Sequence, residues 1–163
     1  QATVDGNGSK IINCDGAVAF SDGKVTGFAN GTVATDTTSA GGIKCNGNLE
    51  ITGGTIALEC NGKGSKGINC DGDVNIAGGD VTLIATGENY TDIADDKKSR
   101  GITANSITVN GGKIVAKAHD NALTAIAGIT LNEGTVNAYS ETSDALNLET
   151  TQSGGWLLTK DAE

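Results

Sequence analysis

The sequence predicts an all-β protein, a right-handed parallel β-helix (β-solenoid) of about six coils. Three observations carry this expectation. The stretch from Lys66 to Ala85, KGINCDGDVNIAGGDVTLIA, recurs in near copies upstream and downstream. Within it the apolar residues alternate with period two, as they do along extended chain: Ile68 and Cys70, then Val74 and Ile76, then Val81, Leu83 and Ala85. The joints are Asp71-Gly72 and Gly78-Gly79, dipeptides that tolerate the positive φ of a sharp bend. Three strands and their bends in about twenty residues form a unit that cannot bury its inward face alone, so such units must stack.

Residues 1–9 (QATVDGNGS) are polar and glycine-rich, with a strand fragment at Ala2 to Val4 and no amphipathic helix before the first unit. The units then open at Ile12, Ile43, Ile68, Ile102, Leu123 and Leu146, in steps of 31, 25, 34, 21 and 23 residues. Two places on stand Cys14, Cys45, Cys70, Ala104, Ala125 and Leu148, all small or apolar as an inward row demands. Middle strands follow with Val18 and Phe20, Leu49 and Ile51, Val74 and Ile76, Ile107 and Val109, and Ile129 and Leu131; third strands begin with Val25, Ile56, Val81, Ile114 and Val136. Right-handed crossovers are the default for parallel strands, which sets the expected hand. The repeats cover about residues 10–150 of a single domain spanning 1–163, and residues 151–163 form a closing segment in which Trp156 is expected to plug the column. The chain opens on Gln and contains no Met, which reads as a processed or trimmed polypeptide.

With 25 Gly, no Pro and 3% aromatics, the core is a thin column of Ile, Val, Leu, Ala and Cys. The formal charge of −9 argues against nucleic acid, whose binding needs Lys and Arg to neutralise phosphates, and against an anionic membrane. No stretch is long and apolar enough for a membrane span. Cys14, Cys45 and Cys70 hold the same inward position on successive units, where parallel side chains about 4.8 Å apart favour free thiols over a disulfide, which needs facing Cβ atoms. Cys60 falls in another inward row with Ala29, Ala85 and Ala118; a pair across the coil is the alternative there.

The insertions that stretch the period fall at one joint, at Asn30 to Gly42 and Thr86 to Arg100, with a shorter one at Asn61 to Lys66. They project from one edge, where insertions often form a binding surface; the alternative is a solvated loop. The second carries Tyr90, Asp92, Asp95, Asp96, Lys97, Lys98 and Arg100. Outward residues of the first strand make two polar rows: Asn13, Lys44, Asn69, Thr103, Thr124 and Asn147, and then Asp15, Asn46, Asp71 and Asn105. Rows of amides, hydroxyls and carboxylates at about 4.8 Å match the scale of sugar units in an extended polysaccharide. Asp and Asn oxygens are also ligands that calcium prefers, and Asp73 adds a carboxylate beyond the Asp71-Gly72 bend; turn chemistry alone is the competing account. Outward on the third strand stand Phe28, Glu59, Ile84, Lys117 and Tyr139, where packing against loops or a neighbouring chain competes with stacking on sugar. His119 is the only histidine and has no positioned nucleophile beside it, so no catalytic site is expected.

Units such as KGINCDGDVNIAGGDVTLIATG and GIKCNGNLEITGGTIALEC resemble the repeats of a bacterial secreted family of carbohydrate-binding β-helix proteins, which bind cellulose and acidic sugars and are similar in fold to pectate lyases. The likeness covers roughly residues 10–140. It implies an extracellular, non-catalytic carbohydrate-binding protein, secreted or at the cell surface, with calcium at surface carboxylates; the carry-over is limited to the turn motif at Asp15, Asn46 and Asp71. The expected carbohydrate-binding residues are Lys44, Asn69, Tyr90, Lys97, Lys98 and Arg100, and the expected calcium ligands are Asp15, Asn46, Asp71 and Asp73. A second function class stays open, a structural protein whose solenoids associate head to tail through uncapped ends into an extracellular filament.

Overall fold

The computed structural model describes residues 1–35, 38–92 and 95–162, with Asp95 described by its backbone only. These residues form sixteen strands and no helix. In chain order they are β1 (Ala2–Val4), β2 (Lys10–Cys14), β3 (Val18–Phe20), β4 (Lys24–Ala29), β5 (Gly41–Cys45), β6 (Leu49–Ile51), β7 (Thr55–Cys60), β8 (Lys66–Cys70), β9 (Val74–Ile76), β10 (Asp80–Ala85), β11 (Tyr90–Asp92), β12 (Asp95–Lys97), β13 (Arg100–Ala118), β14 (Leu123–Ser140), β15 (Thr150–Gln152) and β16 (Trp156–Lys160). Fourteen belong to one strongly curled sheet in which the pairings are parallel; β11 and β12 form a separate antiparallel hairpin.

Each pass of the chain adds one strand to each of three ladders. The first joins β2, β5, β8 and the openings of β13 and β14, and aligns Ile12, Ile43, Ile68, Ile102 and Leu123, with a bridge from Leu123 to Leu146. The second aligns Val18, Leu49, Val74, Ile107 and Ile129. The third aligns Val25, Ile56, Val81, Ile114, Val136 and Leu157. The internal stacks read from the sequence are therefore present, except that Leu148, expected in the inward row two places after Leu146, is 38% exposed. Ile68, Ile76, Leu83, Ile102 and Ile107 are fully buried, and burial of such a side chain contributes about 1.5–3 kcal/mol. Ala29, Cys60, Ala85 and Ala118 make a second, smaller core strip.

Two kinds of glycine permit the curl. Gly23, Gly54, Gly79, Gly112, Gly134 and Gly155, at the joint before the third ladder, all have φ between 71° and 91°, a region an L side chain enters only with strain. The glycine of the Asp-Gly joint serves a different purpose from the one expected. Gly72 has no positive φ; a Cβ there would meet Gly47 C at 2.8 Å and Asn48 N at 2.9 Å, so it is the close stacking of turns that excludes a side chain.

Three further expectations are corrected. Cys45 and Cys70 are joined as a disulfide, while Cys14 and Cys60 are free. The ladder sets the two Cα atoms 4.8 Å apart, inside the span of about 4.4–6.8 Å that disulfides occupy, and parallel side chains need only turn about χ1 for the sulfurs to meet. Trp156 does not plug the column: alternation along β16 gives the inward place to Leu157 and leaves Trp156 80% and Leu158 55% exposed. The regular alternation also breaks in β14, where Ala104 pairs with Ala125 but Ser106 pairs with Gly128. The extra residue bulges out and carries Ile126 to 81% exposure.

Candidate functional site, a lysine-lined cleft

Side chains alternate along a strand, so the residues between the buried positions of β2, β5 and β8 face outward together. Asn13, Lys44 and Asn69 form one such row across the three strands. At the strand starts a second row reads Lys10, Gly41 and Lys66. Gly41 has no side chain because the Lys66 backbone lies where its Cβ would stand, so Lys10 and Lys66 are the side chains of this row. The edge insertions stack on one another and wall it: Gly8 N–H donates to Thr32 O at 2.8 Å, Thr32 Oγ1 to Lys63 O at 3.0 Å, and Gly64 N–H to Glu88 O at 2.9 Å. The hairpin of β11 and β12 rests over Gly64, which stands close to the Cβ atoms of Lys97 and Tyr90. The result is a cleft of about 420 Å³ lined by Lys10, Asn13, Asp15, Thr38, Ser39, Lys44, Asn46, Lys66, Asn69 and Lys97.

Among the described residues, four ammonium groups and one carboxylate, Asp15, line this cleft in a chain whose formal charge is −9. Lys10 Nζ donates to Gly8 O at 2.7 Å and Lys66 Nζ to Ser39 Oγ at 3.2 Å, which holds their stems along the walls. Lys44 Nζ pairs with Asp71 and also reaches Cys45 O at 3.3 Å. Amides from Asn13, Asn46 and Asn69 add groups that both donate and accept. Such a surface offers hydrogen bonds to hydroxyls and positive charge to carboxylates.

Of the six residues expected to bind carbohydrate, Lys44, Asn69 and Lys97 come together in the cleft, and the other three lie outside its lining. Tyr90 is opposite Lys97 in the hairpin, and its hydroxyl donates to Asp92 Oδ2 at 3.3 Å. Lys98 pairs with Asp96 at 3.0 Å. Arg100 Nε lies 3.8 Å from Asp120 Oδ1, buried and without a hydrogen-bond partner among the described residues. Lys10 and Lys66 were not singled out from the sequence, although the register contained the signal: they share a position two residues before the aliphatic residue that opens each pass.

The residues expected to hold calcium are neighbours but do not fit the ion as placed. The Asp71 carboxylate is engaged by the Lys44 ammonium. Asp73 Oδ1 accepts from Asn105 Nδ2 and Ser106 Oγ, both at 2.8 Å, and these bonds hold its carboxyl below the usual range. Asn46 Nδ2 faces Asp15 Oδ1 at 3.5 Å, presenting a donor where a cation needs an oxygen. No group of three or more His, Cys, Asp and Glu suited to a metal occurs among the described residues.

A larger hollow, about 680 Å³, lies beside the third ladder and is lined by Lys117, Tyr139, Ser140, Glu141, Lys160, Asp161 and Ala162. Its carboxylates are already engaged. Glu141 takes the Lys117 ammonium at 2.9 Å and faces His119 Nδ1 at 3.4 Å, with its carboxyl lowered chiefly by Lys117, and Asp161 Oδ1 accepts from Ala145 N–H at 2.6 Å. The lysine cleft, with its outward amide row, is the better candidate for a polymeric ligand.

No curated protein and no solved structure matches the chain. A family model for carbohydrate-binding domain-containing proteins matches residues 62–145. That span includes Lys66, Asn69 and Lys97 of the cleft and runs through β8 to β14. It covers just over half of the sequence, and the chain belongs to the family of carbohydrate-binding domain-containing proteins.

Proposed function

We propose that this is an extracellular, non-catalytic protein, secreted or held at the cell surface, that binds an extended polysaccharide, cellulose or an acidic sugar polymer, across the lysine-lined cleft. The observation that carries the reading is the convergence of Lys10, Lys44, Lys66 and Lys97 with the outward amides of Asn13 and Asn69 in one cleft of an acidic chain. The family match supports the carbohydrate. The disulfide supports an oxidising compartment. Within this reading the curled sheet closes into a right-handed β-helix of about six coils, supported by the three parallel ladders and the handedness of crossovers. Calcium at Asp71 and Asp73 would have to displace Lys44, Asn105 and Ser106, so the reading does without it; titration calorimetry of the wild type and Asp73→Ala with calcium is the check.

Retention on polygalacturonate and on cellulose tests the proposal, comparing the wild type with Lys10→Ala/Lys66→Ala. Each exposed ionic contact contributes about 0.5 kcal/mol, so losing two weakens binding to polygalacturonate about fivefold. A wild type that passes through both polymers, or a double variant held as well as the wild type, would sink the cleft as the binding surface. A second reading, end-to-end assembly into an extracellular filament, draws on Trp156 and Leu158, two large apolar side chains exposed on β16. Negative-stain microscopy showing fibres, together with no retention on either polymer, would favour it.

A further inference from the structure

We infer that Cys14, Cys45 and Cys70 form a thiol–disulfide exchange site, in which the Cys45–Cys70 bond can pass to Cys14–Cys45 without any external oxidant. The three cysteines are consecutive partners in the first ladder, Cys14 opposite Cys45 and Cys45 opposite Cys70. Their strands are parallel, so the side chains leave the sheet in one direction and the sulfurs follow one another along the ladder. Cys45 and Cys70 have Cα atoms 4.8 Å apart, and neighbouring strands keep about that spacing throughout a sheet, so Cys14 stands to Cys45 much as Cys70 does.

This is the arrangement an exchange reaction requires. A thiolate attacks a disulfide sulfur from the side opposite the leaving sulfur, through a near-linear row of three. Here Cys14 stands on the strand to one side of Cys45 and Cys70 on the strand to the other, so rotation about χ1 of Cys14 brings its sulfur to the attacking side. The Cys14 Sγ–Cys45 Sγ bond forms with the thiolate electron pair as the Cys45 Sγ–Cys70 Sγ bond breaks, and Cys70 departs as a thiolate that takes up a proton. One disulfide and one free thiol exist before and after.

Cys14 is free and partly exposed, its thiol pointing to Ala17 O at 3.7 Å, so it is reached by solvent. Cys70 is only 3% exposed, and a neutral thiol is well tolerated in such a place. Cys60 takes no part, because it lies in the separate strip with Ala29, Ala85 and Ala118. Each cysteine directly follows a residue of the cleft row, Asn13, Lys44 or Asn69. The exchange therefore moves the covalent tie from the Lys44–Asn69 pair of strands to the Asn13–Lys44 pair.

The test uses the intact chain, incubated folded at pH 8.5, quenched and alkylated with N-ethylmaleimide in acid denaturant, then mapped by peptide mass spectrometry. Expected are a Cys14–Cys45 linked peptide beside the Cys45–Cys70 one, and a free thiol shared between Cys14 and Cys70 with Cys45 never free. In Cys14→Ala the free thiol at Cys70 should vanish. A free thiol that stays on Cys14 alone after prolonged incubation overturns the inference, and so does a free Cys70 thiol that persists in Cys14→Ala. In Cys70→Ala, with its fold checked by circular dichroism, Cys14 and Cys45 should pair under air; two free thiols there would count equally against it.

Discussion

Asp73 and Cys60 show how single groups are tuned by the ladder around them. The carboxyl of Asp73 is lowered by hydrogen bonds from Asn105 and Ser106, contacts made to the next pass of the chain. A carboxylate with a folded pKa below its unfolded value adds stability that is present above the unfolded value, near 3.8, and disappears as pH falls through the folded one. The thermal midpoint of Asp73→Asn should therefore lie below that of the wild type at pH 7, and the two should converge as the pH falls below 3.8 and through the lowered folded value; a gap that persists in acid would assign the loss to packing. Cys60 is the opposite case. Burial pushes its thiol from 9.0 up to about 12, so it stays neutral and unreactive where an ordinary thiol is a thiolate. Its contribution to stability is complete below pH 9 and is lost as the pH climbs toward 12. At pH 8 iodoacetamide should modify Cys14 quickly, leave Cys60 untouched until the protein unfolds, and reach Cys45 only after reduction. Fast labelling of Cys60 in the folded chain would contradict its place in the core. Asp73 was visible in the sequence as one carboxylate more than the turn needs, yet its partners were not, because calcium and two neutral donors both satisfy a carboxylate and residue type alone does not choose between them.

At the scale of elements, the alternation of apolar residues determined the inward stacks correctly from Ile12 to Leu146, since period two leaves each side chain only two faces, and failed at Leu148 and Trp156, which are exposed. What it did not reveal came from the joints. The Asp-Gly turns were read as positive-φ bends, whereas Gly72 is needed because it lies against Gly47 and Asn48; spacing between stacked turns cannot be read from a dipeptide. The disulfide was missed for a related reason, as rotation about χ1 brings together two side chains that the backbone holds parallel. Gly16 occupies the same turn in the first pass, with nothing within 4 Å of a Cβ. Gly16→Ala should consequently leave stability within about 0.5 kcal/mol of wild type, while Gly72→Ala should cost about 1–3 kcal/mol by overpacking. Urea denaturation measures both, and equal midpoints for the two variants would show that the turns do not stack as closely as this. An outward asparagine row supports the second ladder in the same way: Asn110 Nδ2 donates to Asn75 Oδ1 at 2.9 Å and Asn132 Nδ2 to Asn110 Oδ1 at 2.8 Å. The polar rows are thus part of the scaffold as well as its surface.

For the whole molecule the governing fact is a mismatch between its total charge and the local charge of the cleft. In the proposed function, a chain with 20 Asp and Glu against 11 Lys and Arg repels an anionic polymer at long range, while Lys10, Lys44, Lys66 and Lys97 attract it at short range. Salt screens both, with a Debye length of about 10 Å at 0.1 M, and it screens the long-range repulsion first because the attractive contacts are made within a few ångströms. Retention on polygalacturonate should therefore pass through a maximum as salt is raised from 10 mM, instead of falling from the start as it would for a uniformly basic protein. In the proposed function, contacts to single sugars would be weak and exposed, so strength would come from several sugar units engaged at once along the row of Asn13, Lys44 and Asn69, each further contact being made at high effective concentration. Galacturonate monomer should accordingly compete at millimolar levels at best, and oligomers should compete more strongly with every unit added until the row is filled. Isothermal titration with oligomers of increasing length measures this directly. Affinity equal for monomer and long oligomer would mean that one pocket, and not the row of strands, binds the ligand.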